Sequence, residues 1–243
     1  MTEEIRIPSN GGFLAGVVHR PTELKLTKAV LVMCHGFRGS KEGGGRATRL
    51  AEKAALLGIS VVRFDFTPLQ TLTRQVEELG HVVEFARKNL GERIFLLGRS
   101  MGGSACLAHT DKYQDIAGLC LWATPWGLEE TFRLALGEHY QQLEQGQAVK
   151  LNDEYGEAVI TPAFVQDFTC YDLLTSVRNL CGIPLLQVHG SSDGIVPLQQ
   201  AFDIHLAACE PKQLVVIEGG DHHLAEHAEI ASGHVLSWLK SVI

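Results

Sequence analysis

Gly98-Arg99-Ser100-Met101-Gly102 joins two stretches of opposite character, and that junction restricts the fold more than any other segment. Arg93-Ile94-Phe95-Leu96-Leu97 before it reads as a buried strand, and Ser104-Ala105-Cys106-Leu107-Ala108-His109 after it reads as a helix. A chain that leaves a buried strand and enters a helix within so few residues must turn sharply. The turn needs glycines, because side chains at the flanking positions would collide. The G-x-S-x-G spacing sets one serine at the apex, on the top edge of a sheet. The five-residue pattern is common by chance; the strand–turn–helix context is what makes it informative.

The rest of the chain fits that context. Ala29 to His35 (AVLVMCH) is a continuous apolar run, as a central parallel strand covered on both faces requires. Arg46 to Leu57 repeats at helical spacing and stops at Gly58; Ile59 to Phe66 reads as the next strand. Leu72 to Asn89 carries Val76, Leu79, Val83, Phe85 and Ala86 on one helical stripe. Ile116 to Ala123, Ile183 to His189 and Gln213 to Glu218 read as further strands, with helices after Pro197 and from about Ala225 to Leu239. Glu4 to Pro8 and Leu14 to His19 flank Asn10-Gly11-Gly12 and predict an opening hairpin. The expectation is one α/β domain over 1–243, with a mostly parallel central sheet flanked by helices. The alternation breaks between Trp126 and Leu180. That stretch holds a polar helix-like part (Leu128 to Gln145) and two short strands within Ala148 to Ile160, turning near Glu154–Gly156. It is too long for an ordinary connection and is expected to be an inserted cap over 126–180.

Composition narrows the function classes. The chain has 243 residues, 45% hydrophobic and 20% charged, enough for a sizeable core. A net charge of -7 and no basic stripe argue against nucleic acid as a partner. No apolar stretch reaches membrane-spanning length, and MTEEIRIPSNGG lacks the basic and apolar regions of a leader. Six cysteines are scattered without a C-x-x-C pair, so no metal site is expected, and a reduced, cytoplasmic setting is. No cofactor is expected either. Gly43-Gly44-Gly45 lacks the Lys-Ser/Thr of a phosphate-binding loop and reads as a flexible lead into a helix.

A serine hydroxyl is a weak nucleophile at neutral pH. It needs a base, a carboxylate to orient the base, and donors for the developing oxyanion. Candidates stand in the order Ser…Asp…His. Asp193 follows a buried strand in Ser191-Ser192-Asp193-Gly194, at the edge where ligands bind in such sheets. The base is His222 or His223 in Gly219-Gly220-Asp221-His222-His223, with His222 favoured. The oxyanion donors are the N–H of Met101, after the nucleophile, and that of Phe37 in His35-Gly36-Phe37-Arg38-Gly39-Ser40. His35 reads as a buried histidine holding that loop.

These residues together resemble the α/β-hydrolase superfamily over nearly the whole chain. HGF at 35–37, GRSMGG at 98–103, SSDGIVP around Asp193 and GGDHHL around His222 coincide in order. Within it the chain looks like compact bacterial carboxylesterases of the feruloyl/cinnamoyl-esterase and serine-aminopeptidase-like branch. His35-Gly36-Phe37, Gly43-Gly44-Gly45-Arg46, Arg63-Phe64-Asp65-Phe66 and the modest cap carry that likeness. The resemblance maps its Gly-x-Asp-His pattern onto His222 and its oxyanion positions onto Phe37 and Met101. Two departures stand out. Relatives follow Asp-Phe with a glycine-rich stretch, whereas Thr67-Pro68-Leu69-Gln70 follows here, so that loop is either short or truncated. Arg99 stands where relatives often carry histidine.

The activity expected is hydrolysis of small or medium acyl or aryl esters by Ser100, His222 and Asp193 through an acyl-enzyme. The alternatives are a peptidase, thioesterase or acyltransferase with the same triad, or a non-catalytic ligand-binding protein on this fold. The partner expected is a small-molecule ester; a homodimer stays open. Trp126, Tyr140, Tyr155 and Phe164, with Phe168 and Tyr171, are the candidates for the substrate pocket, against the alternative that they simply pack.

Overall fold

In the computed structural model, which describes residues 1–21, 27–153 and 155–243, most apolar runs of the sequence become strands. The strands are β1 (Thr2–Ser9), β2 (Gly12–His19), β3 (Ala29–Cys34), β4 (Ser60–Phe64), β5 (Arg93–Arg99), β6 (Gly118–Trp122), β7 (Val149–Asp153), β8 (Gly156–Ile160), β9 (Leu185–Gly190) and β10 (Lys212–Ile217). The helices are α1 (Arg46–Leu56), α2 (Leu72–Asn89), α3 (Met101–Tyr113), α4 (Leu128–Leu136), α5 (Glu138–Glu144), α6 (Pro162–Gln166), α7 (Leu173–Arg178), α8 (Leu198–Ala207) and α9 (Ala228–Val242). Eight strands form the central sheet in the order β1-β2-β4-β3-β5-β6-β9-β10. Only β2 runs against the others; β4, β3, β5, β6, β9 and β10 pair in parallel.

Every residue of β3, β4, β6 and β9 is buried, which a parallel sheet achieves only with helices on both faces. Two cores result. Leu79 and Val83 of α2, with Met101 and Leu107 of α3, pack on one face. Leu50 and Ala54 of α1, with Val235 and Leu239 of α9, pack on the other. The chain therefore has the α/β-hydrolase arrangement, in which strand ends along one edge present the loops that carry function.

The stretch between β6 and β9 holds α4, α5, the β7–β8 hairpin, α6 and α7. The polar segment expected as one helix is two, because Gly137 at φ +55°, ψ -125° takes a conformation no helix continues through. Of the expected turn at Glu154–Gly156, Glu154 lies outside the described residues. Phe132, Phe164 and Phe168 interlock at centroid distances of 5.1–5.2 Å and meet Phe37 from the edge of the main sheet. Each such pair contributes about 0.5–1.5 kcal/mol beyond the area it buries.

Two further features differ from, or go beyond, the sequence reading. Cys181 and Cys209, 28 residues apart, form a disulfide where fully reduced cysteines were expected. They lie just after α7 and α8, and no sequence spacing announces a pair that packing brings together. Cys34, Cys106 and Cys120 are buried, as their apolar surroundings suggest. The loop after Phe66 is anchored to α2. Thr67 donates its N–H and hydroxyl to the fully buried carboxylate of Glu78 (2.9 and 2.6 Å), which also accepts from Arg74 (3.0 Å). No helix among the described residues is long and apolar enough to cross a membrane.

Candidate active site

The turn after β5 is built from close backbone contacts. Ser100 sits at φ +52°, ψ -129°, a region non-glycine residues enter only when surroundings impose it, at about 1–3 kcal/mol. Its N–H donates to the Trp122 carbonyl at 2.9 Å. Gly102 presses against β3: a Cβ there would lie 2.3 Å from the His35 carbonyl oxygen and 2.6 Å from that of Cys34. The Cys34 carbonyl belongs to β3, in the middle of the central sheet, and cannot retreat without disturbing it. Gly102→Ala is therefore expected to destabilise the protein by about 3 kcal/mol or more. Urea denaturation of the variant beside wild type checks it, and a loss under 1 kcal/mol (about one hydrogen bond) contradicts it.

The loop after β3 lies against this turn. A Cβ on Gly36 would fall 3.0 Å from the Ser100 Cβ, so the Gly36–Phe37 backbone runs beside the serine. His35 braces the loop. Its Nδ1–H donates to the Gly36 carbonyl (2.8 Å), and its Nε2 accepts from Phe66 N–H (3.0 Å). Burial lowers its pKa, so it stays neutral and serves both bonds. The N–H groups of Phe37 and Met101 donate to no described residue.

Asp193 and His222 arrive on loops after β9 and β10. The two loops are stitched together: Ser192 N–H donates to Gly220 O (2.9 Å), and Gly219 N–H to Ser191 Oγ (2.8 Å). Asp193 Oδ1 accepts from the N–H groups of Ile195 (2.9 Å) and Val196 (2.8 Å), which aims Oδ2 at His222. His222 Nδ1–H donates to that Oδ2 at 2.9 Å, and its Nε2 stands 3.2 Å from Ser100 Oγ. The carboxylate thus fixes the tautomer that leaves Nε2 free to accept the serine proton. Burial alone raises the Asp193 pKa. The His222 hydrogen bond and charge, with the two backbone N–H groups, more than offset it and hold the carboxyl below its ordinary value.

His223 faces elsewhere. Its Nδ1 accepts from the Arg99 guanidinium at 2.8 Å, while Arg99 also donates to the His222 carbonyl at 3.3 Å. Burial, then the neighbouring Arg99 charge, lowers the His223 pKa. Adjacent histidines are identical in type, so only their partners separate the two roles.

None of the six aromatic pocket candidates shares a pocket with Ser100. Phe164 is 1% exposed and locked in the phenylalanine cluster against Phe37. Trp126 and Tyr140 share a separate groove with Phe168 and Tyr171 that Ser100 does not line. The Trp126 indole donates to Asp203 (3.2 Å), and Arg133 stacks over Tyr140, whose hydroxyl burial pushes up to about 12. Tyr155 is exposed on the β7–β8 hairpin beside Arg38.

Sequence reasoning missed two supports. His189 is buried and neutral; its Nε2–H donates to Val196 O (2.9 Å) and lies 3.4 Å from Asp193 Oδ2, bracing the acid loop. Arg38, one residue after Phe37, bonds Asp153 (2.9 Å) and the Gly156 carbonyl (2.8 Å), tying the hairpin to the loop after β3. Its partners lie more than a hundred residues away, so no local pattern could have shown them. No cluster of His, Cys, Asp and Glu able to hold a metal occurs among the described residues.

No family model matches the chain. Among curated proteins it is similar to the uncharacterised protein YfhR of Salmonella typhimurium, 29% identical over 139 residues, 54% of this chain and 40% of that protein. YfhR of Escherichia coli K12 is 37% identical over 46 residues, 19% of this chain and 16% of that protein. The matched region thus spans well under half the length of these relatives. Likeness among solved structures covers nearly the whole chain. Est1E from Butyrivibrio proteoclasticus superposes with a TM-score of 0.83 at 20% identity, over 98% of both chains. The esterase domain of a Rhodothermus marinus protein gives 0.75 at 20% identity, over 99% of this chain and 98% of that one. The α/β-hydrolase GrgF from Penicillium gives 0.78 at 18% identity, over 100% and 99%. Strand order, the single reversed strand, the serine turn and this whole-chain likeness agree that the protein has the α/β-hydrolase fold.

Proposed function

We propose that the protein is a serine hydrolase that cleaves carboxylic esters. The observation that carries the reading is the continuous relay from Asp193 Oδ2 through His222 to Ser100 Oγ, at 2.9 and 3.2 Å. His222 Nε2 takes the hydroxyl proton as Ser100 Oγ attacks the ester carbonyl. The oxyanion that forms is bound by the Phe37 and Met101 N–H groups, which have no acceptor among the described residues. The tetrahedral species collapses, the C–O bond to the alcohol breaks, and His222 gives its proton to the departing alkoxide. Water then attacks the acyl-serine with His222 as base, releasing the acid and restoring the hydroxyl. Asp193 keeps its negative charge throughout and stabilises the transient imidazolium.

A second structure of Est1E holds ferulic acid, which makes aryl acid esters a class to test beside aliphatic ones. The test is hydrolysis of 4-nitrophenyl acetate, butyrate and octanoate and of methyl ferulate, with mass spectrometry after exposure to a serine-directed fluorophosphonate. Turnover of at least one ester with a single adduct on Ser100 is expected. No turnover and no adduct would refute a hydrolase; an adduct without ester turnover would move the chemistry to peptide, thioester or acyl-transfer substrates.

A further inference from the structure

Behind the serine turn lies a cavity of about 80 Å³ that the mechanism above does not use. It sits between the sheet edge and α1, and no residue of 126–180 lines it. Its floor is apolar, from Met33, Leu97, Leu50 and Ala47. Its lining side chains include three cations, Lys41, Arg46 and Arg99, and no carboxylate; Lys41 is paired with Asp65 outside the lining (2.7 Å). Arg46 lines it, and its side chain makes no hydrogen bond or ion pair with any described residue. Arg99 lines it and bonds only to neutral acceptors, the His222 carbonyl and His223 Nδ1. Trp122, 7% exposed, lines it too, and its buried indole Nε1–H has no partner among the described residues. A buried donor without an acceptor is destabilising, so such a group marks a place where an acceptor belongs. Burial, then the nearby Arg46 charge, lowers the Arg99 pKa against the opposing charges of Tyr155, Asp193 and Asp221, and neither guanidinium is in an ion pair with a carboxylate among the described residues.

We infer that this cavity binds a short-chain carboxylate, its anionic end between Arg46, Arg99 and the Trp122 N–H and its hydrocarbon on the apolar floor. Two guanidinium groups and an indole N–H match an anion with several acceptor sites. The apolar floor favours a carboxylate carrying carbon over a bare inorganic ion. Size sets the chain length: 80 Å³ is well above the ~10–15 Å³ that one water needs and about half the ~150 Å³ of a cavity that admits benzene. Two to four carbons fit that interval. Arg99 also holds the His222 carbonyl, so a bound anion touches the loop that carries the candidate base.

Isothermal titration of the intact protein with acetate, propionate and butyrate tests the site, against acetamide, propionamide and butyramide at constant ionic strength and neutral pH. One-to-one carboxylate binding is expected, with the amides silent. Arg46→Gln removes a side-chain charge that is hydrogen-bonded or ion-paired to no described residue, so it is expected to fold and to weaken binding about tenfold or more. Ala47→Leu fills the floor and is expected to abolish binding. Ser100→Ala is expected to bind as wild type, which separates this cavity from product acid held at the serine. Four results would each overturn the proposal. These are no binding at millimolar carboxylate, equal binding of the amides or of inorganic phosphate, indifference to both cavity variants, or loss of binding in Ser100→Ala.

Discussion

Ser100→Ala is expected to lower kcat for the best ester by about 10⁴- to 10⁶-fold while leaving KM within a few-fold of wild type. The hydroxyl is the group His222 faces, and no second nucleophile stands at its Nε2 among the described residues. The Phe37 and Met101 N–H groups proposed to bind the oxyanion are backbone groups that the substitution leaves in place, and the Ser100 N–H bond to Trp122 does not involve the side chain. Steady-state kinetics with the variant purified to homogeneity, beside its urea midpoint, decides the matter. A variant that keeps even a hundredth of wild-type kcat with normal stability rules Ser100 out as the nucleophile.

Asp193→Asn is the second large effect, and it works through a proton's position rather than through lost contact. The Asn oxygen can keep the Ile195 and Val196 N–H bonds, which turns its amide NH₂ toward His222. His222 Nδ1 must then accept, its proton moves to Nε2, and Nε2 can no longer take one from Ser100. A kcat reduction of about 10⁴-fold is expected with KM little changed. Retention of more than a tenth of wild-type kcat would show that His222 does not depend on this carboxylate.

The same residue carries a pH signature. The Asp193 carboxyl is held below its unfolded value in the folded protein, against burial and mainly by His222. A depressed carboxyl stabilises the fold above its unfolded pKa, and the stabilisation disappears as pH falls through the folded value. The stability gap between wild type and Asp193→Asn should therefore be present at neutral pH and narrow as pH drops below about 3.9. Urea midpoints of both proteins across that range read it; a gap that widens toward acid would reverse the assignment.

Much of this site was legible before any coordinates. A serine between two glycines, preceded by a buried strand and followed by a helix, has very few geometries open to it. The Asp-Gly after β9 and the glycines before His222 likewise mark loops at strand ends, and parallel strands put those ends on one edge. His222 and His223 could not be separated from composition. Their difference is a hydrogen bond from Arg99, 124 residues away. The aromatic pocket candidates were legible only as aromatics. Phe164 went into a packed cluster and Trp126 to Asp203 because those partners were within reach after folding.

The division follows the range of the forces. Hydrophobic period, glycine spacing and strand–helix alternation are local, so the chain alone determined the parallel sheet, the serine turn and the loops bearing Asp193 and His222. Pairings between distant segments depend on which surfaces meet when two cores close over one sheet. Packing therefore decided the Cys181–Cys209 bond, the Arg38 tie to the hairpin, the Glu78 anchor of the loop after Phe66, and the cavity that Arg46, Arg99 and Trp122 line.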